Sequence, residues 1–272
     1  METGVIACVD GASSPRAVCE YAAWMAATQG VPLTLLNIIE KAQPLVASGL
    51  SDIIGPENLA RFTEELAKLE DERSRLLMIQ GKTLLDGCAR WLKQAGCKQM
   101  QQYGGLEAIL TSCEGKGLMV VGRAGEQSPV GSQLENIIRL QKNPVLATSA
   151  SFTTPSRVMI AFDGSEESRK NLERLTRVSL LYGLDCHIVM LNGSVTVLHN
   201  ARDVLRKAGI TVQAQLLEGT SVTHALCRYA QEHDIDLIVM GAYGHSGLRR
   251  YFIGSHTTAM LAAARQPLLI LR

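Results

Sequence analysis

Long apolar runs, paired cysteines and an excess of charge are all missing from this chain, and each absence excludes a class. No run of 18 apolar residues occurs in the 272, so no membrane span is expected. The formal net charge is +1, which gives no electrostatic case for a nucleic-acid partner. The opening METGVIACVDG lacks a basic region and a cleavage site and reads as a strand rather than a signal peptide. Cys8, Cys19, Cys88, Cys97, Cys113, Cys186 and Cys227 form no C-x-x-C pair and no metal spacing. An odd number of scattered thiols inside apparent strands and helices implies small buried residues in a reducing cytoplasm. The six histidines are equally dispersed, and no metal ligands are assigned.

What is present is apolar content. At 46 % hydrophobic and 19 % charged residues, the composition supports a large core and argues against disorder. The length suits two domains of about 140 residues each. An internal repeat supports that division. Val5–Gly11 (VIACVDG) and Val158–Gly164 (VMIAFDG) are both apolar runs ending in Asp-Gly, each followed by a helix. Leu118–Gly122 matches Leu237–Gly241, and each half closes on a further short strand, Pro144–Ala147 and Pro267–Leu271. The small-polar stretch Ala150–Ser156 reads as the linker, giving domains over 1–150 and 156–272.

Each half reads as five short apolar strands alternating with amphipathic helices, the pattern of a parallel sheet covered on both faces. The first half carries a long helical pattern over Glu57–Gln94, which Gly81 and Gly87 are expected to break or bend. In the second half, helices are expected over Glu166–Leu181, Val195–Ala208 and Val222–His233. Right-handed crossovers place the ends of strands one and four side by side, where open α/β sheets bind ligands.

The stretch after the fourth strand of the second half, GAYGHSGLRRYFIGS (Gly241–Ser255), is a glycine loop leading into a helix. Its spacing, Gly-x2-Gly-x9-Gly-Ser, is neither that of a P-loop nor the compact dinucleotide fingerprint. Glycines allow close backbone approach, and the unpaired N–H groups of a helix start attract anions. The same residues also suit a strand end and an N-cap at Ser255. Asp163 has two readings as well: a helix-opening turn, or a carboxylate facing the loop for ribose hydroxyls or Mg²⁺. Arg249 and Arg250 either neutralise phosphate or lie solvated. His245 and His256 flank the loop, but no Ser or Cys nucleophile pairs with them as a triad would need.

With its apolar strand-Asp-Gly-Ser start and its Met240-Gly-x2-Gly-x9-Gly-Ser-x-Thr257 loop, the chain resembles the nucleotide-binding subgroup of the universal stress protein family, in its tandem form. The resemblance implies a Rossmann-like, adenine nucleotide alpha hydrolase-like fold: two tandem open parallel five-stranded sheets flanked by helices. The fifth strands would pair to make an internal pseudo-dimer, which leaves room for a homodimer. It also implies ATP, with Mg²⁺ held through the phosphates. Carried over, adenine lies near Ala161, Phe162, Leu191 and Met240, and the ribose meets Asp163 and Gly241. Gly244, Gly254, Ser255, His256 and Thr257 hold the phosphates. In the first half, Gly122-Arg123-Ala124-Gly125 and Gly131-Ser132 match the pattern, but only five residues separate Gly125 from Gly131. A loop four residues shorter cannot follow the same path around a triphosphate, so that half is expected to be degenerate or to take another ligand.

The functional expectation is a cytoplasmic stress-response protein that binds ATP as a switch or sensor. It is not expected to be an enzyme beyond slow hydrolysis, since no residue is evidently placed to position a water. The alternative is a nucleotide-independent dimerisation or scaffold protein using the helix over Glu57–Gln94. An adenylating enzyme of related fold is disfavoured by the lack of a recognisable nucleophile.

Overall fold

Apolar residues arrive in short runs along this chain, and alternation within each run feeds both faces of one sheet. The computed structural model describes residues 4–11, 14–39, 56–92, 97–115, 117–123, 133–242 and 255–272. The first half comprises β1 (Val5–Cys8), α1 (Pro15–Gln29), β2 (Leu33–Ile39), α2 (Pro56–Leu92), β3 (Lys98–Tyr103), α3 (Leu106–Cys113), β4 (Leu118–Gly122), α4 (Leu134–Leu140) and β5 (Val145–Thr148). The second begins with β6 (Arg157–Ala161), α5 (Glu166–Leu175), a 3-10 turn (Ser179–Leu181) and β7 (Asp185–Leu191). It continues with α6 (Val195–Lys207), β8 (Val212–Leu217), α7 (Val222–Glu232), β9 (Leu237–Gly241), α8 (Ser255–Ala263) and β10 (Leu268–Leu271).

The strand order is β3-β2-β1-β4-β5-β10-β9-β6-β7-β8. Each half is therefore a parallel five-stranded sheet of the same order. The fifth strands pair antiparallel, Leu269 opposite Leu146, so the two sheets join edge to edge into one of ten strands. Polar sequences occupy the two outer edges, KQMQQY in β3 and VQAQLL in β8, where strands lack a second neighbour.

Residues of alternate parity go to opposite faces. Val5, Ala7, Val158, Ile160, Val239 and Leu269 share a core with α1, α2, α5 and α6. Ile6, Cys8, Met159, Ile238, Met240 and Ile270 share the other with α3, α4, α7 and α8. Five of the seven cysteines are buried in these layers, and Cys97 and Cys227 are half-buried. Among the described residues, no helix is long and apolar enough to cross a membrane.

Two sequence expectations need correction. Neither Gly81 nor Gly87 interrupts α2, which runs unbroken through both. Gly81 instead lets the helix close on the sheet: a Cβ there would lie 2.1 Å from Asn37 Oδ1 and 2.5 Å from Gln101 Nε2. The helix expected over Glu166–Leu181 ends at Leu175. Leu180 and Leu181 are buried in the 3-10 turn that follows, so their apolar signal was correct but belonged to another element. The linker is pinned to the first half, with the Phe152 ring edge-on to Tyr21 at 4.8 Å and the Tyr21 hydroxyl donating to the Ser151 carbonyl at 3.4 Å.

Candidate functional site

β6 pairs directly with β9 and with β7, so three strands end at one place. Their C-terminal ends, with the first turn of α8, line a cleft of about 670 Å³. That volume falls within the usual range for small-molecule sites, roughly 300–1,000 Å³. Ala161, Phe162 and Asp163 come from the end of β6, Met190 and Leu191 from β7, and Met240, Gly241 and Ala242 from β9. His256 and Thr257 come from α8.

Of the eleven residues carried over from the resemblance, eight line this one cleft: Ala161, Phe162, Asp163, Leu191, Met240, Gly241, His256 and Thr257. Ser255 opens α8. Gly244 and Gly254 lie outside the described residues, as do His245, Arg249, Arg250 and the first-half loop over 124–132.

Local chemistry explains how the walls are held. Asp163 Oδ1 accepts the backbone N–H of Ser165 at 2.9 Å, and Ser165 Oγ caps α5 by accepting from the Ser168 N–H at 3.1 Å. The turn and cap reading of this segment therefore holds, and the same geometry brings Asp163 to the cleft. Gly164 follows at φ 76, and a Cβ on it would lie 2.9 Å from Met190 Cε. Its left-handed φ is what favours glycine there, since the flexible end of Met190 could move aside for a Cβ. Phe162 is buried in the core cluster that includes Met190, with its N–H bonded to the Val189 carbonyl at 2.9 Å. At the start of α8, buried Thr257 donates its hydroxyl to the carbonyls of Gly241 (3.3 Å) and Ala242 (3.1 Å), tying the helix to the end of β9.

Several cleft residues went unrecognised in the sequence. Arg169 and Arg272 also line the cleft. Arg169 Nε donates to the Gly164 carbonyl, and burial lowers the pKa of the Arg272 guanidinium from its ordinary value. Asn192, at φ 50, exchanges hydrogen bonds with the backbone of Gly219 and so clasps the β7 and β8 ends together. That residue carried a signal: Asn-Gly directly after an apolar strand marks a turn at the ligand end of the sheet. Asn171 lines the cleft from α5, and among the described residues its buried Oδ1 has no hydrogen-bond partner. Leaving such an atom unbonded costs about 1–3 kcal/mol, which a ligand or solvent donor would recover.

The arrangement combines an apolar floor, a carboxylate, the arginine of α5 and a helix start. It can bind a flat apolar ring attached to a polar, anionic tail. Among the described residues, no group of three His, Cys, Asp or Glu side chains is placed to hold a metal ion.

Residues 195–272 match the model of the universal stress protein family. The chain is 33 % identical to universal stress protein Slr1230 of Synechocystis, over 98 % of this chain and 99 % of that one. Its fold is similar to that of a universal stress protein from Archaeoglobus fulgidus, with a TM-score of 0.68 and 19 % identity, covering 99 % of this chain and 96 % of that one. A Pseudomonas aeruginosa protein carrying the same family name is similar over 99 % of this chain and 93 % of its own, with a TM-score of 0.63 and 16 % identity.

Proposed function

Because the chain belongs to the universal stress protein family, we propose that its second half holds ATP, with Mg²⁺ carried on the phosphates, as a switch or sensor in the stress response. The observation that carries this reading is the convergence of the β6, β7 and β9 ends with the first turn of α8 on one cleft. Adenine fits the apolar floor of Ala161, Phe162, Leu191 and Met240, and the ribose fits between Asp163 and Gly241. The phosphates face the start of α8, at Ser255, His256 and Thr257, together with Gly244 and Gly254. A helix start favours anions through its free N–H groups and its dipole. The bound metal would neutralise phosphate charge, and Asp163 and the α8 start would orient what it carries. These groups hold and orient a ligand, so slow hydrolysis at most is expected. The seven free thiols agree with work in the cytoplasm.

Asp163 offers the direct test. If it meets the ribose hydroxyls, 2′-deoxy-ATP should bind the wild type more weakly than ATP, roughly tenfold for a lost charge-assisted hydrogen bond. Asp163→Asn keeps an oxygen for the Ser165 N–H and should narrow that difference. Equal affinity for the two nucleotides in the wild type would remove Asp163 from the site.

A second reading rests on α2. Phe62, Leu69 and Leu76 recur every seven residues on its surface and are 41 %, 63 % and 61 % exposed. This is the seam along which a second copy of the chain would pair, independently of nucleotide. Sedimentation of the wild type and Leu69→Lys, with and without Mg-ATP, tests it. A monomer in every case would exclude this reading.

A further inference from the structure

Two arginines are exchanged between the halves. Arg123, the first residue after β4, reaches out of the first half onto the last turn of α8 and the three residues that follow it. It donates to the carbonyls of Leu261 (3.3 Å), Ala264 (2.5 Å), Arg265 (3.3 Å) and Gln266 (2.7 Å), while its Nε holds the Thr148 carbonyl at 3.3 Å. Arg272, directly after β10, makes the reverse crossing and donates to the carbonyls of Arg139 and Gln141 at the end of α4. The last carbonyls of a helix have no partner within it and form the negative end of its dipole. A planar, permanently charged group with five N–H donors matches that end.

The position of Arg123 gives this exchange its meaning. Gly122 corresponds to Gly241, so Arg123 stands where the second half has Ala242, a residue of the cleft wall. The residue that would open a glycine loop in the first half instead grips the helix that begins at the cleft of the second.

We propose that Arg123 is a positioning residue for the nucleotide site of the second half, fixing α8 from behind so that its first turn stays aimed at the phosphates. The inference rests on the reading of the cleft as a nucleotide site. α8 is held at both ends: Thr257 ties its first turn to the carbonyls of Gly241 and Ala242, and Arg123 grips Leu261 in its last turn together with the Ala264–Gln266 segment that leaves it. Nine residues of helix span about 13 Å, short enough to move as one rod. Loosening the far end therefore changes where the near end points. The guanidinium also completes the dipole whose positive end faces the anion. The base and ribose, by contrast, rest on β6, β7 and β9, which Arg123 does not touch.

This division of labour supplies the test. The nucleotide-stripped full chain is titrated with Mg-ATP and, separately, with adenosine, as wild type, Arg123→Met and Arg123→Lys. Arg123→Met should weaken Mg-ATP roughly threefold to tenfold and leave adenosine unchanged, and Arg123→Lys should recover part of the loss. Should Arg123→Met fail to fold, Arg123→Lys, which keeps the charge without the fork, carries the same comparison against the wild type. Equal weakening of both ligands would mean that Arg123 only holds the halves together, and unchanged Mg-ATP affinity would remove any role; either overturns the proposal. If the wild type binds neither ligand, the nucleotide reading itself has failed and the proposal falls with it.

Discussion

The two halves carry the same strand motif and treat it in opposite ways. Cys8 pairs with Leu36 as Ala161 pairs with Val189, so Asn37 stands where the second half has Met190. The backbone agrees: the Val9 N–H bonds the Leu36 carbonyl at 2.8 Å, and the Phe162 N–H bonds the Val189 carbonyl at 2.9 Å. In the second half, Asp163 is half-buried on the wall of the cleft. In the first, Asp10 and Asn37 are both 6 % exposed, Asn37 donates to the Val9 carbonyl, and α2 comes down on Asn37 at Gly81. The crest of the first sheet is packed by its own 37-residue helix, where the second half has a 13-residue α6. An Asp-Gly at a strand end thus marks the place where a ligand could sit, and the element above it decides whether there is room.

Filling the close approach should have the largest effect. Gly81→Val would drive a branched side chain into Asn37 and Gln101, and is expected to cost about 2–3 kcal/mol by overpacking. The denaturant midpoint measures this, and a shift below half a kcal/mol would mean that α2 does not seat as described. Making the first half resemble the second is the sharper variant. Asn37→Met removes the donor to the Val9 carbonyl and should cost about 1–3 kcal/mol for the acceptor left buried. It should create no second nucleotide site, because Gly81 and α2 remain in place; a gained site would show that one side chain, not the helix, separates the halves.

The smallest effect is electrostatic and lies where the second half begins. Asp236 Oδ2 accepts from the Ser156 N–H (2.8 Å), the Ser156 hydroxyl (2.7 Å) and the Arg157 N–H (2.9 Å). Burial pushes this carboxyl up, but the bonds from Ser156 and Arg157 outweigh it and hold it below the usual carboxylate range. A depressed folded-state value means that the stabilisation is complete above the unfolded value of about 3.9 and is lost as pH falls through the folded one. Asp236→Asn should therefore flatten part of the acid limb of a stability–pH curve. An unchanged limb would show that Asp236 does not contribute.

Local chemistry explains which features were legible from residues alone. α6 and α7 end within one residue of their expected ranges, because Asn192-Gly193-Ser194 and Gly219-Thr220-Ser221 mark where each begins. α5 was overextended because apolar periodicity cannot distinguish a continuing helix from a turn whose leucines are also buried. At the site, Asp163 and Gly241 were legible from strand ends and glycines, whereas Ala161, Phe162, Leu191 and Met240 came only through the family resemblance. Asn171, Arg169 and Arg272 left none: they reach the cleft from two turns of a helix and from beyond the last strand, positions that only tertiary packing brings together. Arg123 stood in the sequence only as a spacer residue of a matching Gly-x2-Gly pair, while its partners in the second half lie about 140 residues away.

The central claim is that one half holds nucleotide and the other does not. The most direct measurement is the calorimetric stoichiometry of Mg-ATP on the full chain after any bound nucleotide has been stripped by denaturation and refolding. The account predicts one site per chain. Two sites would contradict it, by showing that the first half binds despite its shortened loop and overlying helix, and so would no site at all.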